Sequence, residues 1–97
     1  MKRMNPAAID IQKRFFDALE TGIQLGRYDG IKTFCDEHHF NRTKYSRIRT
    51  GNADPENTRY YTTIDLDALA AICSDLNISP DWLLLGRGKM MKPQRGQ

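Results

Sequence analysis

Residues 34–51 read FCDEHHFNRTKYSRIRTG. With Ile31 just upstream, Phe34 and Cys35 recur at helical spacing, so a short helix over about 31–38 turns these three side chains inward. Asn41 is a good N-cap, and the helix it opens directs Tyr45 and Ile48, three residues apart, towards the core until Gly51 supplies a left-handed stop. That register leaves Thr43, Ser46, Arg47 and Thr50 facing outward. A charge run on a helix is ordinarily a solvated face. Two short helices joined by a tight turn, the second slim and cationic, also meet the physical requirements of a major-groove reader. Arginine can bridge O6 and N7 of guanine, threonine can meet a thymine methyl, and lysine can neutralise phosphate, while bulky Phe40, Tyr45 and Ile48 stay on the core side.

Working outward, Pro6 suits the first turn of a helix that runs to about Leu25, where Gly26 can end it. Its apolar residues, Ala8, Ile9, Ile11, Phe15, Phe16, Ala18, Leu19 and Ile23, cover more than the ~100° stripe that a surface helix usually buries. Either Phe15 and Phe16 both pack within one domain, or part of this face meets a second subunit. RYDG, Arg27 to Gly30, has the composition of a turn. Residues 52–64 lack helical periodicity and read as a long loop, in which Arg59, Tyr60 and Tyr61 could reach phosphates while Asp54 and Glu56 oppose a close approach. Leu66, Leu69, Ile72, Cys73 and Leu76 then mark a fourth helix starting from Asp65. In SPDW, Ser79 is an N-cap, Pro80 takes the first helical position and an acid sits in the first turn, which gives a fifth helix over Pro80 to Leu85. Residues 1–88 form the domain, and 89–97 read as a flexible tail. Five helices and no strand make the chain all-α.

The chain has 97 residues, 39% of them apolar, enough for one compact core but not for a deep substrate cleft. Lys and Arg outnumber Asp and Glu by 15 to 12, so the placement of charge matters more than its sum of +3. No run approaches the roughly 20 apolar residues of a membrane span, and the N-terminus lacks a signal-peptide core, so a soluble, cytoplasmic protein without membrane association is expected. Cys35 and Cys73 fall at apolar helix positions and read as reduced core residues. Cys35, His38 and His39 supply too few ligands at zinc-like spacing for a metal site. The histidines lie beside Asp36 and Glu37 with no nucleophile or cofactor motif, so neither an enzyme nor a cofactor is expected.

FCDEHHFNRTKYSRIRTG and LNISPDWLLLGRG, residues 76–88, together resemble the Cro/repressor-type (XRE-like) helix-turn-helix family of bacterial and phage regulators, over most of Phe15 to Gly88. The resemblance implies a five-helix, lambda-repressor-like DNA-binding domain with the helix-turn-helix as helices 2 and 3, and the Asp-Trp-Leu-Leu helix packed beneath it. Carried over by position, Arg42 and Thr43 fall where the recognition helix first meets base edges, and Arg47 at a second base-reading position one turn on. Lys44, Ser46 and Thr50 become backbone or secondary contacts. The chain departs from the pattern in its loop over 52–64, longer than the family's compact link, and at three positions. His39 replaces the turn glycine and must adopt φ > 0 or take a modified turn. Ile31 replaces the polar residue that holds a phosphate, a role that passes to Lys32 or to the helix amides. Arg49 replaces a frequent glutamate and adds charge beside the groove.

The implied function is sequence-specific double-stranded DNA binding, as a repressor of phage or mobile-element type acting as a homodimer, with helix 1 as the preferred contact. The alternative is a protein-interaction module, antitoxin-like or anti-repressor, that keeps the fold and binds protein through helix 1 or the long loop.

Overall fold

A computed structural model describes residues 5–53 and 64–92, the side chains of 51–53 excepted. The chain is all-helical, with α1 over Pro6–Gln24, α2 over Ile31–His38, α3 over Arg42–Ala53, α4 over Leu66–Leu76 and α5 over Pro80–Leu85. Helix α1 is the hub and packs against α3, α4 and α5, while α2 packs against α3. It starts where Asn5 caps it, the side-chain oxygen accepting from the Ala7 amide at 2.8 Å. Its buried face is narrower than the apolar composition suggests. Phe15, Ala18 and Leu19 are buried, and Phe16 and Ile23 lie partly exposed against the same core. Ala8, Ile9 and Ile11 are half-buried.

Helices of six to eight residues are too short to persist alone, so their ends and packing must hold them. At the end of α2, His39 adopts φ 63°, which lets the His39 and Phe40 amides both donate to the Cys35 carbonyl. The left-handed turn is therefore made by a histidine, at a cost of about 1–2 kcal/mol relative to glycine. Asn77 repeats this device at the end of α4, with φ 55°. Helix α5 has the expected Ser79 cap, whose oxygen accepts from the Trp82 amide, and closes at Gly86 with φ 70°. Arg14 reaches from α1 to donate to the Leu83 carbonyl at 2.8 Å and the Leu84 carbonyl at 3.2 Å, satisfying the end of α5.

Three expectations are corrected. Gly51 does not stop α3, which continues through it to Ala53. Glycine is free to turn left-handed but not obliged to, and keeping it helical costs only about 1 kcal/mol. Leu66 is 84% exposed. Helix α4 buries Ala68, Ile72 and Leu76 at four-residue spacing, and that register turns its first residue to solvent. The tail does not leave the domain at Lys89. The Ser79 amide donates to the Met90 carbonyl at 2.8 Å and the Lys92 amide to Asn77 at 2.9 Å, while Met90 and Met91 pack on the core. Of the two phenylalanines weighed for α1, Phe15 is fully buried in the core and Phe16 is half-buried against it. The stretch holding Arg59, Tyr60 and Tyr61 lies outside the described residues, as does 93–97.

Gly22 is a helical glycine with a packing role. A Cβ there would lie 2.8 Å from Tyr28 Cε2 and 3.0 Å from Leu76 Cδ1. Gly22→Ala normally stabilises a helix, but here it should destabilise the fold by about 1–3 kcal/mol through overpacking, measured by urea unfolding.

Candidate nucleic-acid interface

The segment 31–51 builds its surface from the core outward. Phe34 and Cys35 anchor α2, Tyr45 and Ile48 anchor α3, and all four are buried. Asn41 caps α3, its side-chain oxygen accepting from the Lys44 amide at 2.9 Å. The opposite face of α3 presents Arg42, Thr43, Arg47, Arg49 and Thr50 to solvent, with Ser46 half-buried. An open groove of about 540 Å³ runs between the start of α2 and this face, lined by Ile31, Lys32, Arg42, Thr43, Ser46, Arg47 and Thr50. The three residues expected to read bases therefore converge with Lys32, Ser46 and Thr50 on one concavity. Ile31 forms its apolar wall. A second recess adjoins at Lys32 and is acidic, lined by Asp29, Gly30, Lys32, Thr33, Asp36 and Glu37.

Lys44 and Arg49 do not line the groove. Lys44 is turned the other way, its Nζ donating to both Asp65 carboxylate oxygens at 3.0 and 3.2 Å, so it is a tie to the start of α4. Tyr45 shares that tie. Its hydroxyl donates to Asp65 Oδ2 at 2.8 Å and accepts from the Asp65 amide at 3.1 Å. The hydrogen bonds from Tyr45 and Lys44 lower the Asp65 carboxyl below its usual range, and burial pushes the Tyr45 phenol up. Asp65 thus clamps the base of the outward-facing helix.

A second network, built on Asp75 of α4, holds α2. Asp75 Oδ2 accepts from the Tyr28 hydroxyl at 2.6 Å and lies 2.7 Å from His38 Nε2. Arg27 binds both oxygens of Glu37, at 2.6 and 3.0 Å, and its Nη2 lies 3.4 Å from Asp75 Oδ1. Glu37, His38 and Asp75 are the trio of potential ligand groups that the fold gathers among the described residues, and the Arg27 guanidinium bridges its carboxylates. Cys35, weighed earlier with His38 and His39, is buried, and its thiol is pushed up to about 11 by burial and the nearby Asp36 carboxylate, against a smaller opposing effect of Arg42. Asp75 lies 47 residues from Tyr28 and 37 from His38, and no local pattern marks it as their partner.

Arg42 makes one further contact, its Nε 3.4 Å from Asp36 Oδ1. Among the described residues, Lys32, Arg47 and Arg49 make no ion pair. No protein-family model, curated protein or solved structure matches this chain.

Burial raises the Asp75 carboxyl, but the hydrogen bonds from Tyr28 and His38, with the charges of His38 and Arg27, outweigh it and leave the group lowered. Its contribution to stability is therefore fully present above the unfolded value of about 3.9 and is lost as pH falls through the folded value. Asp75→Asn should cost on the order of 1–3 kcal/mol at neutral pH. The gap between variant and wild type in urea unfolding should shrink below about pH 4, since all other carboxylates titrate in both proteins.

Proposed function

We propose that this chain binds double-stranded DNA sequence-specifically and acts by occupancy, as a transcriptional repressor of phage or mobile-element type. The observation that carries this reading is the shared groove, in which Arg42, Thr43 and Arg47 stand with Lys32 while Tyr45 and Ile48 turn inward. Such a surface has the slim, cationic, hydroxyl-bearing character that the floor of the major groove admits. Lys32 supplies sequence-independent affinity by releasing counterions from phosphate, and Arg42, Thr43 and Arg47 discriminate base edges. Ser46 and Thr50 add hydroxyls at the groove wall.

One such helix covers about one half-site, so two copies bind across roughly one turn of duplex. Ile9, Phe16 and Ile23 recur at seven-residue intervals on α1 and are all half-buried, a stripe suited to a second copy. The second reading, a module that binds another protein, draws on the exposed Leu84 and Leu85 of α5.

Sedimentation of the protein with a duplex pool carrying a random core should show two chains per bound duplex. A dimer holding about six to ten phosphates should lose on the order of 10³–10⁵ in affinity between 50 and 200 mM salt. A nearly flat salt response favours the protein-binding module instead. Arg47→Ala and Tyr45→Ala should fail differently. Arg47→Ala should leave stability within about 0.5 kcal/mol yet lose roughly 1–3 kcal/mol of discrimination at one base pair per half-site. Tyr45→Ala should destabilise the fold by about 3–5 kcal/mol and weaken binding to all sequences alike, as read by thermal melting and competition binding.

A further inference from the structure

Arg42 is the first residue of α3 and lines the cationic groove, whereas its partner Asp36 lies on α2 and lines the acidic recess. The two side chains are 53% and 55% exposed, so the pair is solvated and contributes little to stability. Its geometry is more informative than its strength. The closest approach of the pair is at Nε, 3.4 Å from Asp36 Oδ1, on the side edge of the guanidinium, whereas its end-on edge lies between the two terminal amino groups. Those two groups form the end-on fork that matches O6 and N7 of guanine.

Charge sharpens the choice of ligand. A lone arginine at this position would be drawn as readily to phosphate as to a base. An arginine paired with a carboxylate is close to neutral as a unit, and the carboxylate repels phosphate oxygens. Guanine offers two acceptors without a formal charge, so the pair favours the base edge over the backbone. Asp29 and Glu37 line the same recess as Asp36, and Lys32, which lines both concavities and makes no ion pair among the described residues, is a cation left for a phosphate.

We infer that Asp36 is a positioning residue that holds Arg42 for a guanine and withholds it from phosphate, which makes Asp36 a determinant of sequence preference. This rests on the DNA-binding reading of the groove. Removing the carboxylate then exchanges specificity for salt-sensitive affinity. Arg42→Ala should erase the preference for one guanine per half-site with little change in salt dependence. Asp36→Ala, which retains the arginine, should lower the same preference about five- to tenfold. It should also steepen the salt dependence, by about 0.9 in log–log slope for each phosphate the freed arginine takes. A residue that merely supported the fold would not steepen that slope.

The experiment selects duplexes with a random core of about 20 base pairs, two half-sites one turn apart, with wild-type protein, then measures single-base variants of the consensus against both substitutions and their double variant over a salt series. Support consists of a loss in Asp36→Ala confined to the guanine that Arg42→Ala also loses, no further loss in the double variant, and a steeper salt slope for Asp36→Ala. The inference is overturned if Asp36→Ala keeps the wild-type guanine preference, or weakens all base pairs alike. If wild-type protein selects no consensus, the DNA-binding reading itself fails, a result seen before any variant is tested.

Discussion

The Phe34 ring meets Phe15 of α1 edge-on at 5.7 Å and Tyr28 at 5.4 Å, and it lies 5.1 Å from the His38 ring and 5.8 Å from Phe40. No water reaches it. Through this one side chain the long helix, the turn before α2, the end of α2 and the start of the next turn share a single centre. Phe40 continues the chain of rings by stacking on Tyr45 at 5.4 Å. Burying a phenylalanine of this kind is worth about 1.5–3 kcal/mol, with further gains from edge-to-face contacts. That is enough to hold an eight-residue helix with little intrinsic stability in place.

Around this apolar centre, two carboxylates, one on the N-cap and one in the last turn of α4, take the polar work. Asp65, at the start of the helix, holds Tyr45 and Lys44 of α3, and Asp75, near its end, holds Tyr28 and His38 around α2. The two ends of one helix thus fix the two members of the helix pair separately, and the angle between the pair is set by the left-handed His39. Gln12 adds a third fixed point, its side-chain oxygen accepting from the buried Ile64 amide at 3.1 Å. A groove whose walls come from different helices keeps its shape only when both helices are held in this way.

The helix boundaries of α2 and α5 were legible because local chemistry marks them. Ser79 and Pro80 open α5 and Gly86 closes it, while the Gly30 turn and the histidine pair bracket α2. The outward face of α3 was legible from Tyr45 and Ile48 alone, since two buried residues set the phase of a helix. The tie of Lys44 to Asp65 is not legible on the wheel, because a long, flexible cation follows its partner, and Asp65 is 21 residues away. Asp75 was unreadable for a related reason, as nothing in an isolated acid tells which distant donor it meets. The docking of residues 89–92 had a faint signal, the adjacent Met90 and Met91 in an otherwise polar stretch.

The pairing of Asn77 with Lys92 and of Ser79 with Met90 closes a small ring of chain around α5. Entropy favours such closures, because the cost of joining two points grows with the logarithm of the intervening length. This corner can therefore assemble from near neighbours, on the sub-microsecond scale of short loops, before any distant part of the molecule arrives. Arg14 comes to it from 69 residues away to seal the last carbonyls of α5. The fold thus joins a fast, local corner to a slow, long-range latch, and the native arrangement of α1 over α5 is complete only when the latch closes.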